Sequence, residues 1–76
     1  MTSTHPRIQS DSKIMFGKPV VRGTRITVEH ILRCLASGET AEEIVANYPP
    51  LTVDDIRAAQ AFAADHLGHE HIFAAE

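Results

Sequence analysis

The sequence has few aromatic residues, no tryptophan and one cysteine among its 76 residues. A single cysteine excludes an internal disulfide and suits a reducing compartment, so we expect a cytoplasmic protein. No run of about 18 apolar residues occurs, and the sequence therefore predicts no membrane span. A chain of this length allows one small domain that buries only about 60% of its unfolded surface. Its length therefore favours a homodimer or a bound partner.

Motifs for catalysis and cofactor binding are also missing. The sequence contains no Walker, Rossmann or zinc-finger pattern and no paired carboxylates in a plausible cleft. Cys34 stands between Leu32 and Leu35. We expect it to be a small core residue or a half-exposed thiol, because no His–Asp arrangement supports a nucleophile. The sequence predicts no enzymatic activity, no catalytic residue and no cofactor.

Charge is divided unevenly along the chain, whose formal net charge is −3. Residues 1–38 carry six cations and two acids, a net charge of +4, and residues 39–76 carry one cation and eight acids, a net charge of −7. The acidic total argues against nucleic acid, whereas the basic first half fits it. The division indicates two surfaces for two kinds of partner. Alternatively, both sets of charged side chains only keep the surface of one fold hydrated.

The first 26 residues show no helical period. Gly17, Pro19 and Gly23 separate short extended pieces. Residues 7–9 are expected to pair as a short strand with residues near 20–21 or with residues 25–27. The sequence therefore predicts an N-terminal arm with short strands over residues 1–26.

Three helices follow the arm, and a threonine precedes each of them. The first is predicted from the cap Thr27 to the terminating Gly38. The second begins after Thr40, with Glu43 completing a capping box, and ends near Tyr48 before two prolines. The third begins after Thr52 and ends at Gly68, and residues 69–76 form a tail. A short second helix is joined by a tight turn to a longer third helix. This arrangement predicts a mostly α, homeodomain-like helix-turn-helix bundle over residues 27–68.

A helix-turn-helix domain reads DNA with the N-terminal part of its second helix. On the third helix of this chain, Arg57 and Gln60 are the side chains that would reach a groove. Asp54 and Asp55 stand in the first turn of the same helix, where they would repel phosphate. A generic three-helix cluster that binds protein or dimerises is the alternative.

Cations of the arm are a second candidate for contact with DNA. Lys18, Arg22 and Arg25 lie within eight residues, and Arg33 follows on the first helix. They would touch phosphates or a minor groove. Alternatively, residues 23–25 are a structural turn, and these cations pair with acids such as Glu29 or Glu43.

The C-terminal segment offers candidates for partner binding. Three imidazoles stand within six residues, at His66, His69 and His71, and either bind a metal or belong to a solvated helix end. We expect no metal, because a structural zinc site draws on two separated ligand pairs. An apolar pair between two acids fits docking on a partner protein. The predicted partner-binding residues are Phe62, Glu70, Ile72, Phe73 and Glu76.

The run Gly-Lys-Pro-Val-Val-Arg-Gly-Thr-Arg-Ile at residues 17–26 resembles the signature of the domain of unknown function 433 family. Tyr48-Pro49, Leu51-Thr52 and the segment 55–59 extend this resemblance, which spans roughly residues 8 to 66. Met15-Phe16, Ser12 and Phe62 depart from the family pattern without touching the signature.

The resemblance implies a β arm followed by a homeodomain-like bundle and a VapB-type, antitoxin-like role. Such antitoxins dimerise, bind their own promoter and block a PIN-like ribonuclease toxin with a terminal segment. We therefore expect a homodimeric, DNA-binding antitoxin of a type II toxin–antitoxin pair. The alternative is a protein-interaction or dimerisation module without affinity for DNA.

Overall fold

A computed structural model describes residues 5–68 of the chain. A two-stranded arm precedes three helices, and this confirms the predicted mostly α fold with a short β arm. In chain order the elements are β1 (Ile8–Gln9), a 3-10 turn (Met15–Gly17), β2 (Val20–Val21), α1 (Val28–Ala36), α2 (Ala41–Asn47) and α3 (Val53–Gly68). Within this part of the chain, no helix is both long enough and apolar enough to cross a membrane.

The arm is an antiparallel pair that also contacts the start of α1. Ile8 lies opposite Val21 in the register of β1 and β2. Val20 forms an isolated antiparallel bridge with Thr27, and the Val21 N–H donates to the Ile26 carbonyl at 3.0 Å. The predicted pairing of residues 7–9 with the segment near residues 20–21 is therefore confirmed, whereas the segment 25–27 pairs with β2 and not with residues 7–9. The chain reverses between them through Gly23, whose φ of 82° suits a residue without Cβ.

All three threonine caps are present. The Thr27 hydroxyl accepts a hydrogen bond from the His30 N–H, at 2.9 Å. Thr40 and Glu43 form the predicted reciprocal capping box. Helix α2 ends one residue before the predicted Tyr48, and Gly38 has the left-handed φ of 103° expected after α1.

The core lies where the three helices meet beneath the arm. Each helix contributes one isoleucine with no exposed surface, namely Ile31, Ile44 and Ile56. Val20 from the arm and Leu51 from the turn between α2 and α3 join these three as the largest fully buried side chains. The arm thus covers one side of the helical core and is packed on the helices that it precedes.

Candidate functional site

The first turn of α3 directs one of its two carboxylates into the protein. Asp55 is 6% exposed, and its Oδ2 accepts a hydrogen bond from the Thr52 backbone N–H at 2.9 Å. The Asp55 N–H donates to the Thr52 hydroxyl at 3.2 Å, so the two residues form a capping box. Nη1 of Arg7, from the arm, donates to Oδ1 of Asp55 at 3.1 Å. Arg7 therefore offsets the charge of Asp55, whereas Asp54 of the same turn remains exposed.

The opposite side of α3 presents the residues that the sequence assigned to a DNA groove. Arg57 and Gln60 are both exposed. Neither side chain contacts an acid within residues 5–68. Asp54 is also exposed, and its Oδ2 lies 3.8 Å from Nη2 of Arg7. Among the described residues, the guanidinium of Arg57 and the amide of Gln60 therefore have no partner and remain available to a ligand near the N-terminal part of α3.

Two of the predicted phosphate-binding cations share one acid. Nζ of Lys18 lies 3.1 Å from Oε1 of Glu29, and Nη2 of Arg33 lies 3.1 Å from Oε2. The pKa of the Glu29 carboxyl lies below its usual range, because it accepts hydrogen bonds from Lys18, whose effect is the larger, and from Arg33. This cluster carries a net charge of +1, and Glu29 is the acid that the sequence offered as the alternative partner. Glu43, the other acid offered, is held in its capping box.

The remaining two arginines of the arm differ in their surroundings. Nε of Arg22 donates to the Pro6 carbonyl at 2.6 Å, and its Nη1 donates to Oε1 of Gln9 at 3.1 Å. Arg22 thus joins the two strands of the arm. Arg25 is exposed and pairs with no acid in the part of the chain that the structure describes. Arg25 remains the arm's candidate for contact with an anion.

An apolar groove runs between α1 and α3 and has a volume of about 360 Å3. Its floor includes Leu32 and Val28 from α1 and Phe62 from α3, while the cluster of Lys18, Glu29 and Arg33 lies at its edge. Phe62, which the sequence analysis assigned to a partner protein, therefore lies in the same groove as Lys18 and Arg33, which the sequence analysis assigned to DNA.

Residues that the sequence analysis did not single out support this groove from the arm. His5 lies edge-on to Phe62, with ring centroids 5.6 Å apart, and its Nε2 is 2.8 Å from Oδ2 of Asp65. Phe62 also stacks on His66, with centroids 6.1 Å apart. His66 therefore belongs to an aromatic wall of the groove.

His5 and Arg7 of the arm both contact α3 and are separated from their partners by 60 and 48 positions. Local sequence patterns therefore contain no signal for these contacts.

Cys34 lies on α1, facing the core. It is buried, and its sulfur is 3.6 Å from Nε2 of His30, which is itself 2.7 Å from the Tyr48 hydroxyl. Burial raises the pKa of the Cys34 thiol, and the nearby Glu39 carboxylate raises it further. The thiol is thus held in its neutral, weakly nucleophilic form.

We expect the thiol of Cys34 to react slowly in the folded protein. The raised pKa favours the neutral thiol, so alkylation by iodoacetamide at pH 7.5 should be at least about tenfold slower than in the urea-unfolded chain. The Cys34→Ser variant supplies the background rate. Equal rates in the folded and unfolded chains would contradict the buried position.

Several predicted site residues lie outside the described part of the chain. They are Glu70, Ile72, Phe73 and Glu76 of the partner-binding set and His69 and His71 of the histidine cluster. Among residues 5–68, no group of three or more His, Cys, Asp or Glu side chains is placed to hold a metal ion.

The fold defines a class, that of small three-helix domains in which a two-stranded β arm covers a helical core. Residues 8–63 match the family model described as "Protein of unknown function (DUF433)". The chain belongs to this family, as the motif at residues 17–26 indicated.

The chain is similar to a protein of known sequence and to a protein of known structure. It is 36% identical over 56 residues to "Uncharacterized protein y4eO" of Sinorhizobium fredii, a match that covers 74% of this chain and 25% of that protein. A crystal structure of a DUF433 member protein from Anabaena variabilis aligns with a TM-score of 0.76 and 30% identity, over 83% of this chain and 62% of that one. The chain thus spans about a quarter of the first relative and less than two thirds of the second.

Proposed function

We propose that this protein is a cytoplasmic, antitoxin-like regulator that binds DNA through the outward face of α3. The observation that carries the proposal is the division of the first two turns of this helix. Asp55 is neutralised by Arg7 on the inner side, while Arg57 and Gln60 on the outer side have no side-chain partner among residues 5–68. A guanidinium forms bidentate hydrogen bonds with guanine or phosphate, and a glutamine amide forms them with adenine.

Of the other cations assigned to DNA, one is available to phosphate and two are partly neutralised by Glu29. Arg25 is exposed and pairs with no acid among residues 5–68, so it is available to phosphate, whereas Lys18 and Arg33 keep Glu29 as a partner. A dimer doubles the set of contacts, and two recognition helices would then read half-sites about 34 Å apart. The proposal therefore requires a short palindromic site and a moderate dependence on salt.

Fluorescence anisotropy with labelled DNA from upstream of the gene tests this proposal. Arg57→Ala should weaken binding about tenfold and reduce the log–log salt slope by about 0.9 per protomer. Gln60→Ala should reduce the preference for the specific site over a scrambled one. Arg33→Ala removes the same charge from a guanidinium held by Glu29 and should weaken binding less. Equal losses for Arg33→Ala and Arg57→Ala, or no binding by the wild type, would contradict the proposal.

Capture of a partner protein is the second candidate function, and the groove between α1 and α3 favours it. Its apolar floor and its net positive edge suit an apolar segment that carries carboxylates. An antitoxin would use such contacts, together with its acidic tail, to hold a PIN-like ribonuclease.

Co-expression with a PIN-like ribonuclease encoded beside the gene tests this second function. The wild type should co-purify with the ribonuclease and restore growth, and Leu32→Glu in the groove should abolish both effects. Arg57→Ala lies on the other face of α3 and should rescue growth like the wild type. Absence of a complex and of rescue would exclude an antitoxin role and leave DNA binding to stand alone.

A further inference from the structure

An exposed phenylalanine stands on a strained turn of the arm. Phe16 is 94% exposed. It lies between Met15 and Gly17 in a run of three left-handed residues, with φ values of 47°, 59° and 82°. Residues with a Cβ adopt this conformation at a cost, and such strain is retained mainly where a binding role requires it. The turn is nevertheless fixed, because the Gly17 N–H donates to Ile14 and the Lys18 N–H donates to Met15.

The groove between α1 and α3 lies beside this turn. Lys18 lines the groove, and it is two residues from Phe16, so their Cα atoms are at most about 7 Å apart. The groove volume of about 360 Å3 exceeds the roughly 150 Å3 of an apolar cavity that holds benzene. The stacked pair of Phe62 and His66 offers an aromatic wall to an incoming ring.

A projecting ring and an aromatic groove side by side form a self-complementary surface. In a two-fold symmetric dimer, the same surface of both copies forms the interface. The Phe16 ring of each copy can then enter the groove between α1 and α3 of the other. At the edge of the groove, Lys18 and Arg33 are already paired with Glu29 within one copy, so the entry of an apolar ring leaves none of these charges without its partner.

We propose that the chain forms a two-fold homodimer in which Phe16 of each protomer occupies the groove between α1 and α3 of a second copy. Insertion removes an exposed ring and an apolar groove from water and enlarges the small core of the domain. This interface uses neither Arg57 nor Gln60, so it leaves the outward face of α3 open. Because Phe16 of the second copy fills the groove, a segment of a partner protein would bind there only by displacing it. The proposal does not depend on DNA binding and is tested without DNA.

Sedimentation velocity of the full chain over a concentration series tests the interface. The wild type should sediment as a dimer at micromolar concentration. Phe16→Ala should raise the dimer dissociation constant about 100-fold or more, because two rings lose their burial at once. Glu42→Ala, an exposed change on α2, should leave the constant unaltered. Circular dichroism establishes that each variant is folded.

Mixing two variants separates insertion of Phe16 from a general loss of stability. Leu32→Glu places a charge in the groove and should also give a monomer. A mixture of Phe16→Ala and Leu32→Glu should recover a heterodimer, because one copy supplies an intact ring and the other an intact groove. Failure of the mixture to associate would overturn the proposal.

Two further results would overturn the proposal. The first is a wild-type chain that remains monomeric at the highest concentration, or a dimer that Phe16→Ala leaves intact. The second is loss of the dimer in a full-length variant with Ile72→Ala and Phe73→Ala while Phe16→Ala still dimerises, which would assign the groove to the C-terminal segment.

Discussion

Replacing Asp55 with alanine is expected to lower the free energy of unfolding by about 3 kcal/mol. The change removes the acceptor for the Thr52 N–H at the start of α3 and leaves the Arg7 guanidinium without its buried partner. A loss of this size corresponds to a fall in Tm of about 10 °C or more for a domain of this length. Urea unfolding followed by circular dichroism measures it directly.

Two variants separate the contributions of the cap and of the charge. Asp55→Asn keeps an oxygen for the Thr52 N–H and loses the ionic contact, so we expect a loss of about 1–2 kcal/mol. Asp54→Ala changes the exposed neighbour in the same turn and should lose about 0.3–1 kcal/mol of interaction with the helix dipole. Equal effects of Asp54→Ala and Asp55→Ala would show that the inward carboxylate does not join the arm to α3.

Replacing Ile44 with alanine is expected to cost about 2–5 kcal/mol. Helix α2 has seven residues, which is too short for a stable isolated helix. Ile44 is its buried residue and has no exposed surface. The substitution leaves a cavity at the centre of the three helices, so α2 should lose its attachment to the bundle. Urea unfolding gives the free energy, and hydrogen exchange of the α2 amides shows whether the helix opens first.

A graded pair of variants tests this role of Ile44. Ile44→Val removes one methylene and should cost about 0.5–1.5 kcal/mol. Val45→Ala alters the half-buried neighbour on the same helix and should cost less than Ile44→Ala. A loss below about 1 kcal/mol for Ile44→Ala would mean that other contacts hold α2 in place.

The helices could be predicted from the sequence because their signals are local. Thr27, Thr40 and Thr52 each cap a helix through residues three positions away. Gly38 likewise ends α1 through its own backbone conformation. The pairing of the arm followed from β-branched residues near Val20, although the sequence did not show that Val20 pairs on both sides.

The site was predicted less completely because its contacts join distant parts of the chain. The cation that pairs with Asp55 is Arg7, 48 positions earlier. Lys18 and Arg33 both pair with Glu29, but only Arg33 stands at the helical spacing that makes such a pair predictable. Nothing in the sequence around Phe16 distinguishes an exposed ring from a core residue, and its exposure follows from the conformation of the turn.

A nuclear magnetic resonance titration of the 15N-labelled protein with DNA from upstream of its gene tests whether the outward face of α3 binds DNA. We expect chemical-shift changes to concentrate at Arg57, Gln60 and Arg25, on the outward face of α3 and the exposed turn of the arm. Resonances of Leu32 and Phe62 in the groove should not change, because we assign that surface to protein and not to DNA. Shift changes confined to the groove, or none at low salt, would exclude DNA binding by this face.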